Sequence, residues 1–501
     1  MAFDNHSQKK LAWFGEILLV MLALVLGILV AGYSAQTLVV AITGLLLFVS
    51  LRFAKNRSFY EIIALYIALA AFNFYYFYCA KLTGRNPTDL GTWGKPATTL
   101  EKLQKDIVLA ILLLATLSQM VIGQISRMAV FQVNLNHPIY QVVGIYFVFC
   151  IIRSLFKVYE NESLFYIFYY LRMTVMFITL PLILAVAVKK KSQLLRICKW
   201  WVMPMIIIAI LGIVEFSIGG SPYYRSFVDG KVFYRATATL QNPNNLGAYL
   251  AVMLGVSGIF LFFKKHFNFF ERIILMGSLP VGFVCLLMTL SRSSILFLFA
   301  SLIICLGVFV HYQLFKSPQS RIKKEALKKT LLKWLAVLSP ILVVLLVVSI
   351  QVFNLDQALS LGFSQYFNAN SDQGQFRLFS TAVTFDYLLS HPVHFLFGSG
   401  WANYAQKPDN AFASMLMRNG LIGFMLYLTI WCQAFFYTLR GIYLNQSYQV
   451  IYWVSLYFFT FQALYGLTAP VHVNFPQNLY FWFMVGVIAY LQSPLGRKRF
   501  S

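Results

Sequence analysis

Ser294-Ile-Leu-Phe-Leu-Phe-Ala-Ser-Leu-Ile-Ile-Cys-Leu-Gly-Val-Phe-Val-His-Tyr312 contains no Asp, Glu, Lys or Arg. As a helix rising about 1.5 Å per residue, it is long enough to cross a hydrocarbon core of about 30 Å. Apolar stretches with at most one charged residue each recur on both sides of it, at 12–31, 34–51, 59–80, 107–125, 139–156, 164–188, 201–217, 246–263, 273–290, 334–353, 420–438, 451–468 and 477–492. The chain of 501 residues is 59% hydrophobic and 11% charged, with a mean hydropathy of +0.71. Soluble domains sit at about half apolar and a quarter charged. A cytosolic enzyme, a DNA-binding domain and a secreted disulfide scaffold are thereby excluded. The fold class read from the sequence is all-α: a polytopic transmembrane helix bundle of about 12–14 spans with a partly helical, large extracytoplasmic loop.

The net charge of +24 does not point to nucleic acid. With the N-terminus inside, almost all of the excess falls on inside segments, including Lys189-Lys190-Lys191 and the basic run from Arg321 to Lys333. That is the positive-inside bias of a cytoplasmic membrane protein. The six cysteines lie in or beside apolar stretches with no CxxC pair, so they read as packing residues, neither a disulfide framework nor a metal site. The first apolar stretch has no small-residue cleavage site and reads as a retained helix.

Four regions organise the chain: N-terminal transmembrane helices over 1–200, a transmembrane core over 201–353, a large outer loop over 354–419 and C-terminal transmembrane helices over 420–501. Two further outer segments, 81–106 and 218–245, are also long. The large loop is patterned. Phe379, Ala382, Val383 and Leu389 recur at helical spacing, predicting a surface helix over 376–389. His391-Pro392 ends it, because the residue before proline is pushed away from the α region. Gly398-Ser399-Gly400 makes a tight turn, and Asp409-Asn410 supplies caps for a helix starting near Ala411 and running to Asn419-Gly420.

Three outer segments carry an arginine beside apolar helices: Arg235 ahead of Asn242-Pro243-Asn244-Asn245, Arg292 in Ser291-Arg292-Ser293-Ser294, and Arg377 at the start of the surface helix. Guanidinium forks suit phosphate oxygens, so three converging would make a lipid-diphosphate site. Each could equally be an interfacial arginine snorkelling to headgroups. Asn242 and Asn244 are either site residues or a turn and cap. Asp409 is either a cap or a general base, and His391 either a turn residue or a substrate contact. Glu16, Arg172 and Glu215 are charges within spans, functional candidates that could also pair for packing. Walker, HExxH, GxSxG and CxxC signatures are absent, and no outer acidic pair is placed to hold a divalent cation. The expected chemistry uses no metal and no cofactor.

Taken in order, these pieces resemble a family. Arg235-Ala-Thr-Ala-Thr-Leu-Gln-Asn-Pro-Asn-Asn-Leu-Gly-Ala-Tyr-Leu resembles the arginine-to-Pro-Asn segment of O-antigen ligases and polymerases, and Thr289-Leu-Ser-Arg292-Ser-Ser their Ser-Arg turn. Gly374-Gln-Phe-Arg377, His391-Pro392 and Phe397-Gly-Ser-Gly400 resemble their large loop; Asp409-Asn-Ala-Phe and Asn419-Gly-Leu-Ile-Gly423 resemble its end and the following span. The resemblance covers roughly 201–440. It implies a metal-independent glycosyltransferase in a bacterial cytoplasmic membrane, with its active site facing outside. The donor would be an undecaprenyl-diphosphate-linked oligosaccharide and the acceptor a glycan; a chain-length regulator is a further partner left open. Arg292, Arg377 and Asp409 would be catalytic, while Arg235, Asn242, Asn244, Asn410 and His391 would bind substrate. One departure stands out: such proteins usually carry His-Asn where this chain has Asp409-Asn410, so His391, His394 and His472 stay open as alternative bases.

Three functions follow from this reading. The leading one is a polymerase of lipid-linked repeat units for O-antigen, capsule or exopolysaccharide, favoured by the missing histidine and by the lack of an added C-terminal domain. The second is a ligase that moves a finished glycan onto lipid A core or protein. The third, a transporter, would be favoured by internal repeats and broken charged helices, neither of which the sequence shows. Single cysteines placed in 354–419 are expected to react with a membrane-impermeant maleimide added outside intact cells; labelling only after the cytoplasmic face is opened would reverse the topology.

Overall fold

The computed structural model describes residues 59–70, 109, 112, 113, 116, 137–159, 177–188, 190–217, 225–228, 231–240, 242–263, 267–316, 382–399, 410–444, 448–471 and 476–492. The chain divides into two compact units, one of residues 1–66 and 75–131, the other of residues 67–74 and 132–501. In the first lies most of helix α1 (Phe59–Leu69). The second holds α2 (Pro138–Tyr159), α3 (Leu180–Ala187), α4 (Lys191–Val202), α5 (Met205–Ser217), β1 (Arg225–Val228), β2 (Lys231–Tyr234), α6 (Pro243–Phe262), α7 (Phe269–Met288), α8 (Arg292–Lys316), α9 (Pro392–Phe397), α10 (Ala411–Leu444), α11 (Gln449–Gly466) and α12 (Gln477–Gln492). Residues 382–390 are also helical. The chain is an all-α polytopic membrane helix bundle. Among the described residues, five helices are long and apolar enough to cross a membrane: Ser192–Ser217, Pro243–Phe262, Phe269–Met288, Arg292–Gln313 and Ala411–Leu444.

Burial ranks these helices. The apolar window of α6 is 72% buried, against 22% for α8 and α10. The helix α6 is therefore central, packed on α7, α8 and α11, while α8 and α10 turn Ile303, Leu306, Met425 and Phe436 outward. In a bilayer those exposed side chains meet lipid, which costs nothing there. The interior is aromatic: Trp201 of α4 packs edge-on to Phe458 of α11 and Phe483 of α12, and tilted against Tyr480. Glycine makes room for these rings. A Cβ on Gly255 would fall 2.0 Å from the ring of Tyr457, whose hydroxyl donates to the Ala251 carbonyl at 2.7 Å. A Cβ on Gly441 would fall 2.2 Å from the ring of Tyr452.

Polar contacts gather at the two ends of the bundle, where backbone and side-chain groups escape the demand that hydrocarbon places on them. At one end Lys199 pairs with Glu271 at 2.8 Å, His311 meets the Tyr443 hydroxyl at 2.6 Å, and Gln449 donates to Tyr312 at 2.6 Å. The other end collects the segments that carry the sequence motifs.

Three details correct the sequence reading. The antiparallel hairpin β1–β2, with Arg225 opposite Tyr234 and Val228 opposite Lys231, interrupts the all-helical pattern. The span read at 201–217 begins earlier, since the helical run extends from Ser192 to Ser217, with Pro204 marking the joint between the amphipathic α4 and the apolar α5. After His391 the chain resumes helix at once, because Pro392 takes the first helical position, where its missing N–H is no loss. The stretches 12–31, 34–51 and 334–353, the segment 81–106, and Glu16 and Arg172 lie outside the described residues. Gly255→Ala is expected to destabilise the protein by about 1–3 kcal/mol through overpacking against Tyr457. Thermal unfolding in detergent reads this, and an unchanged midpoint would contradict the α6–α11 contact.

Candidate functional site

Helix α6 opens on Asn242, whose side chain accepts the Asn244 amide at 2.8 Å, with Pro243 at the first helical position. This is the capping arrangement predicted from Asn-Pro-Asn. Asn244, exposed on the first turn, uses its Oδ1 differently: it accepts Nη2 of Arg235 at 2.8 Å. Nε of the same guanidinium donates to the Thr289 carbonyl at 2.8 Å. Arg235 therefore ties the start of α6 to the end of α7, three residues before Arg292.

Two strained turns meet at this point. Ala238 (φ 45°) and Leu290 (φ 52°) are non-glycine residues in the left-handed region. Such conformations cost about 1–3 kcal/mol and persist where surroundings enforce them. The Ala236 amide donates to the Met288 carbonyl at 3.1 Å and joins the two turns directly. Around Leu290, Thr289 Oγ1 donates to the Leu286 carbonyl at 2.7 Å and accepts the Ser291 amide at 3.2 Å. Ser291 and Ser294, both buried, share a hydroxyl contact of 2.7 Å and flank half-buried Arg292, the first residue of α8. They sit close against Gly247 of α6, where a Cβ would lie 2.6 Å from that of Ser291. The Tyr465 hydroxyl of α11 donates to the Asn244 carbonyl at 3.0 Å and lies beside Ser291, Ser293 and Ser294.

The loop motifs form a second group at α9 and α10. Gly398 (φ 85°) and Gly420 (φ 65°) face one another: a Cβ on Gly420 would fall 2.3 Å from the Gly398 nitrogen, and one on Gly398 would fall 2.1 Å from the Arg418 carbonyl oxygen. Only glycine fits either position. Ser399 seals the crossing by donating its amide and its hydroxyl to the Met417 carbonyl at 2.7 and 3.0 Å. Arg153, buried on α2, donates to the Gly398 carbonyl. Gly420 kinks α10 sharply enough that Phe412 and Phe424, on opposite sides of the bend, have ring centroids 6.5 Å apart. Asn410 caps α10, its Oδ1 accepting the Phe412 and Ala413 amides at 2.8 and 3.3 Å. His391 is exposed and stacked on Tyr387 at 4.5 Å, with Nδ1 2.9 Å from the Tyr387 carbonyl oxygen and 3.0 Å from Ser390 Oγ.

A short path of contacts joins the two groups. Asn244 bonds Tyr465; the next residue, Gly466, packs on Ala411, with 3.3 Å between its would-be Cβ and the Ala411 Cβ; Ala411 follows Asn410. Inside the elbow of α10, against α11, is an apolar cavity of ≈ 140 Å³ walled by Phe412, Met415, Phe424, Tyr427, Trp431 and Gly466. Gln462 is the polar exception in its wall, 4% exposed, with an Nε2 that has no hydrogen-bond partner among the described residues.

Of the residues singled out from sequence, Arg235, Asn242, Asn244 and Arg292 belong to the first group; Asn410 and His391 belong to the second. Arg377, Asp409 and His472 lie outside the described residues. Among the described residues no three His, Cys, Asp or Glu side chains are grouped to hold a metal ion. Sequence reasoning passed over Tyr465 and Gln462, which no local pattern marks, and for Glu215 it offered Arg172 as a packing partner, whereas the carboxylate accepts bonds from Thr237 and Ala238. Residues 277–428, from within α7 to within α10, match the family model described as O-antigen ligase. No curated protein matches the chain. Arg292→Lys is expected to keep the fold and lower turnover at least about tenfold, because a fork-shaped donor becomes a point charge; wild-type rates at equal membrane abundance would remove Arg292 from the site.

Proposed function

We propose that this member of the O-antigen ligase/polymerase superfamily, a family that transfers lipid-linked glycans in a bilayer, is a polysaccharide polymerase. In this reading it joins undecaprenyl-diphosphate-linked repeat units at the outer face of the cytoplasmic membrane. The observation that carries it is the joint between Arg235 and the Thr289–Ser294 turn. That joint puts two arginines of the motif set on adjoining turns beside buried hydroxyls.

The chemistry then runs as follows. Arg235, Arg292 and Arg377 hold the diphosphate and stabilise the charge that develops as the bond between the anomeric carbon and the phosphate oxygen breaks. The acceptor hydroxyl oxygen forms the new glycosidic bond, and its proton passes to Asp409. A carboxylate can serve as that base, the more so if burial raises its affinity for the proton. The lipid diphosphate leaves with the bonding electron pair. The cavity in the α10 elbow takes the first apolar units of the lipid tail, since a cavity of about 150 Å³ holds a group of benzene size. Asn410, His391, Asn242 and Asn244 line the path of the glycan.

The second reading, transfer of a finished glycan to lipid A core or protein, is favoured by the printed description of the matched family, O-antigen ligase. Polymerisation is kept as the leading reading because the histidine that the family commonly uses for acceptor activation is missing, with Asp409 in its place. Deleting the gene in its host and sizing the lipid-linked glycans separates the readings. Accumulated single repeat units are the expected result. Long chains stranded on the lipid carrier would establish the ligase instead, and an unchanged pool would overturn both.

A further inference from the structure

Helix α5 reads Met-Ile-Ile-Ile-Ala-Ile-Leu-Gly-Ile-Val-Glu-Phe-Ser, and its single charge, Glu215, is only 3% exposed. A carboxylate buried at the end of an apolar helix is costly unless donors surround it. Three donors to it come from one place. Oε2 accepts the Thr237 and Ala238 amides at 2.9 and 2.5 Å, and Oε1 accepts the Thr237 hydroxyl at 2.8 Å. These are the second and third residues after Arg235. Gly212, one turn earlier on α5, permits the approach: its would-be Cβ lies 3.6 Å from that of Ala238 and 2.5 Å from Cys285 Sγ.

We propose that Glu215 is the positioning residue for Arg235, acting through the backbone of Thr237 and Ala238. The inference rests on the reading of Arg235 as a ligand of the lipid diphosphate. Ala238 is left-handed at φ 45°, and the carboxylate bonds the amides on both sides of that turn's entry. The Ala236 amide is held on the other side by the Met288 carbonyl. The chain leaving Arg235 is therefore clamped between α5 and α7, and the guanidinium is aimed by a fixed Cα as well as by Thr289 and Asn244. Beyond the turn, Leu240 donates to the Thr237 carbonyl at 3.0 Å and Asn242 to the Leu240 carbonyl at 2.7 Å, so the same clamp also sets the cap of α6 that presents Asn244. A functional side chain must be held to within tenths of an ångström by such supporting bonds.

Glu215→Gln is nearly isosteric but replaces one acceptor oxygen with an amide NH₂ that faces backbone N–H groups. The test measures binding of undecaprenyl diphosphate to the purified full-length protein in nanodiscs, for wild type, E215Q, R235A and the double variant. The expected result is a loss of about tenfold in E215Q and at least that in R235A, with E215Q adding nothing once Arg235 is gone. Thr237→Val, which removes only the hydroxyl bond, is expected to weaken binding about threefold and to show the same dependence on Arg235. It decides the matter if E215Q does not reach the membrane. Losses that multiply in the double variant, or unchanged affinity in both E215Q and T237V, would overturn the positioning role while leaving the diphosphate site standing. Unchanged affinity in R235A would instead remove the diphosphate reading on which the inference rests.

Discussion

The guanidinium of Arg235, donating to the Thr289 carbonyl and the Asn244 side chain, is the contact on which the motif-bearing end of the bundle depends. The last carbonyls of a helix and the first amides of the next lack intrahelical partners, and at the end of an apolar bundle each must find one. Arg235 supplies a donor to the turn that closes α7, while Asn242 supplies an acceptor to the first turn of α6. Because the two residues that follow it are tied down, Ala236 to the Met288 carbonyl and Thr237 to the Glu215 carboxylate, the arginine is part of the scaffold and still has a guanidinium next to an exposed asparagine. A positively charged group held this way is pre-organised for an anion, so little reorganisation is needed when charge develops.

The kink in α10 plays the complementary part. Gly398 against Gly420 folds the first two turns of α10 back over its longer arm, and the bend opens the apolar cavity. Under the proposed reading, the polar turns would meet the charged head of the substrate and the apolar hollow its hydrocarbon tail. The path from Asn244 through Tyr465 and Gly466 to Ala411 joins the two by direct contacts.

Much of this was legible in the sequence where one physical signal dominates. Uncharged apolar runs fixed the helices, and α12 spans 477–492 as the run does. Boundaries drifted where polar caps extend a helix past its apolar run: α7 starts at Phe269, ahead of the apolar stretch, because Asn268 and Glu271 form a capping box. The hairpin carried its own signal, Asp229-Gly230 between two runs rich in aromatic and β-branched residues, but it was masked by a composition that favours helices. In the candidate site, the cap on α10 followed from Asn410 and the break at His391 from Pro392. The bonds of Glu215 to Thr237 and of Tyr465 to Asn244 did not follow, since they join residues 22 and 221 positions apart through tertiary packing alone.

The most direct measurement is a reconstitution: purified protein in liposomes, given an undecaprenyl-diphosphate-linked single repeat unit and no other acceptor, with products resolved by mass spectrometry. A polymerase that grips the diphosphate with its arginines yields a ladder of longer lipid-linked chains, with one undecaprenyl diphosphate released for each unit added. Intact starting material, or glycan transferred only after a different acceptor is supplied, would contradict that account.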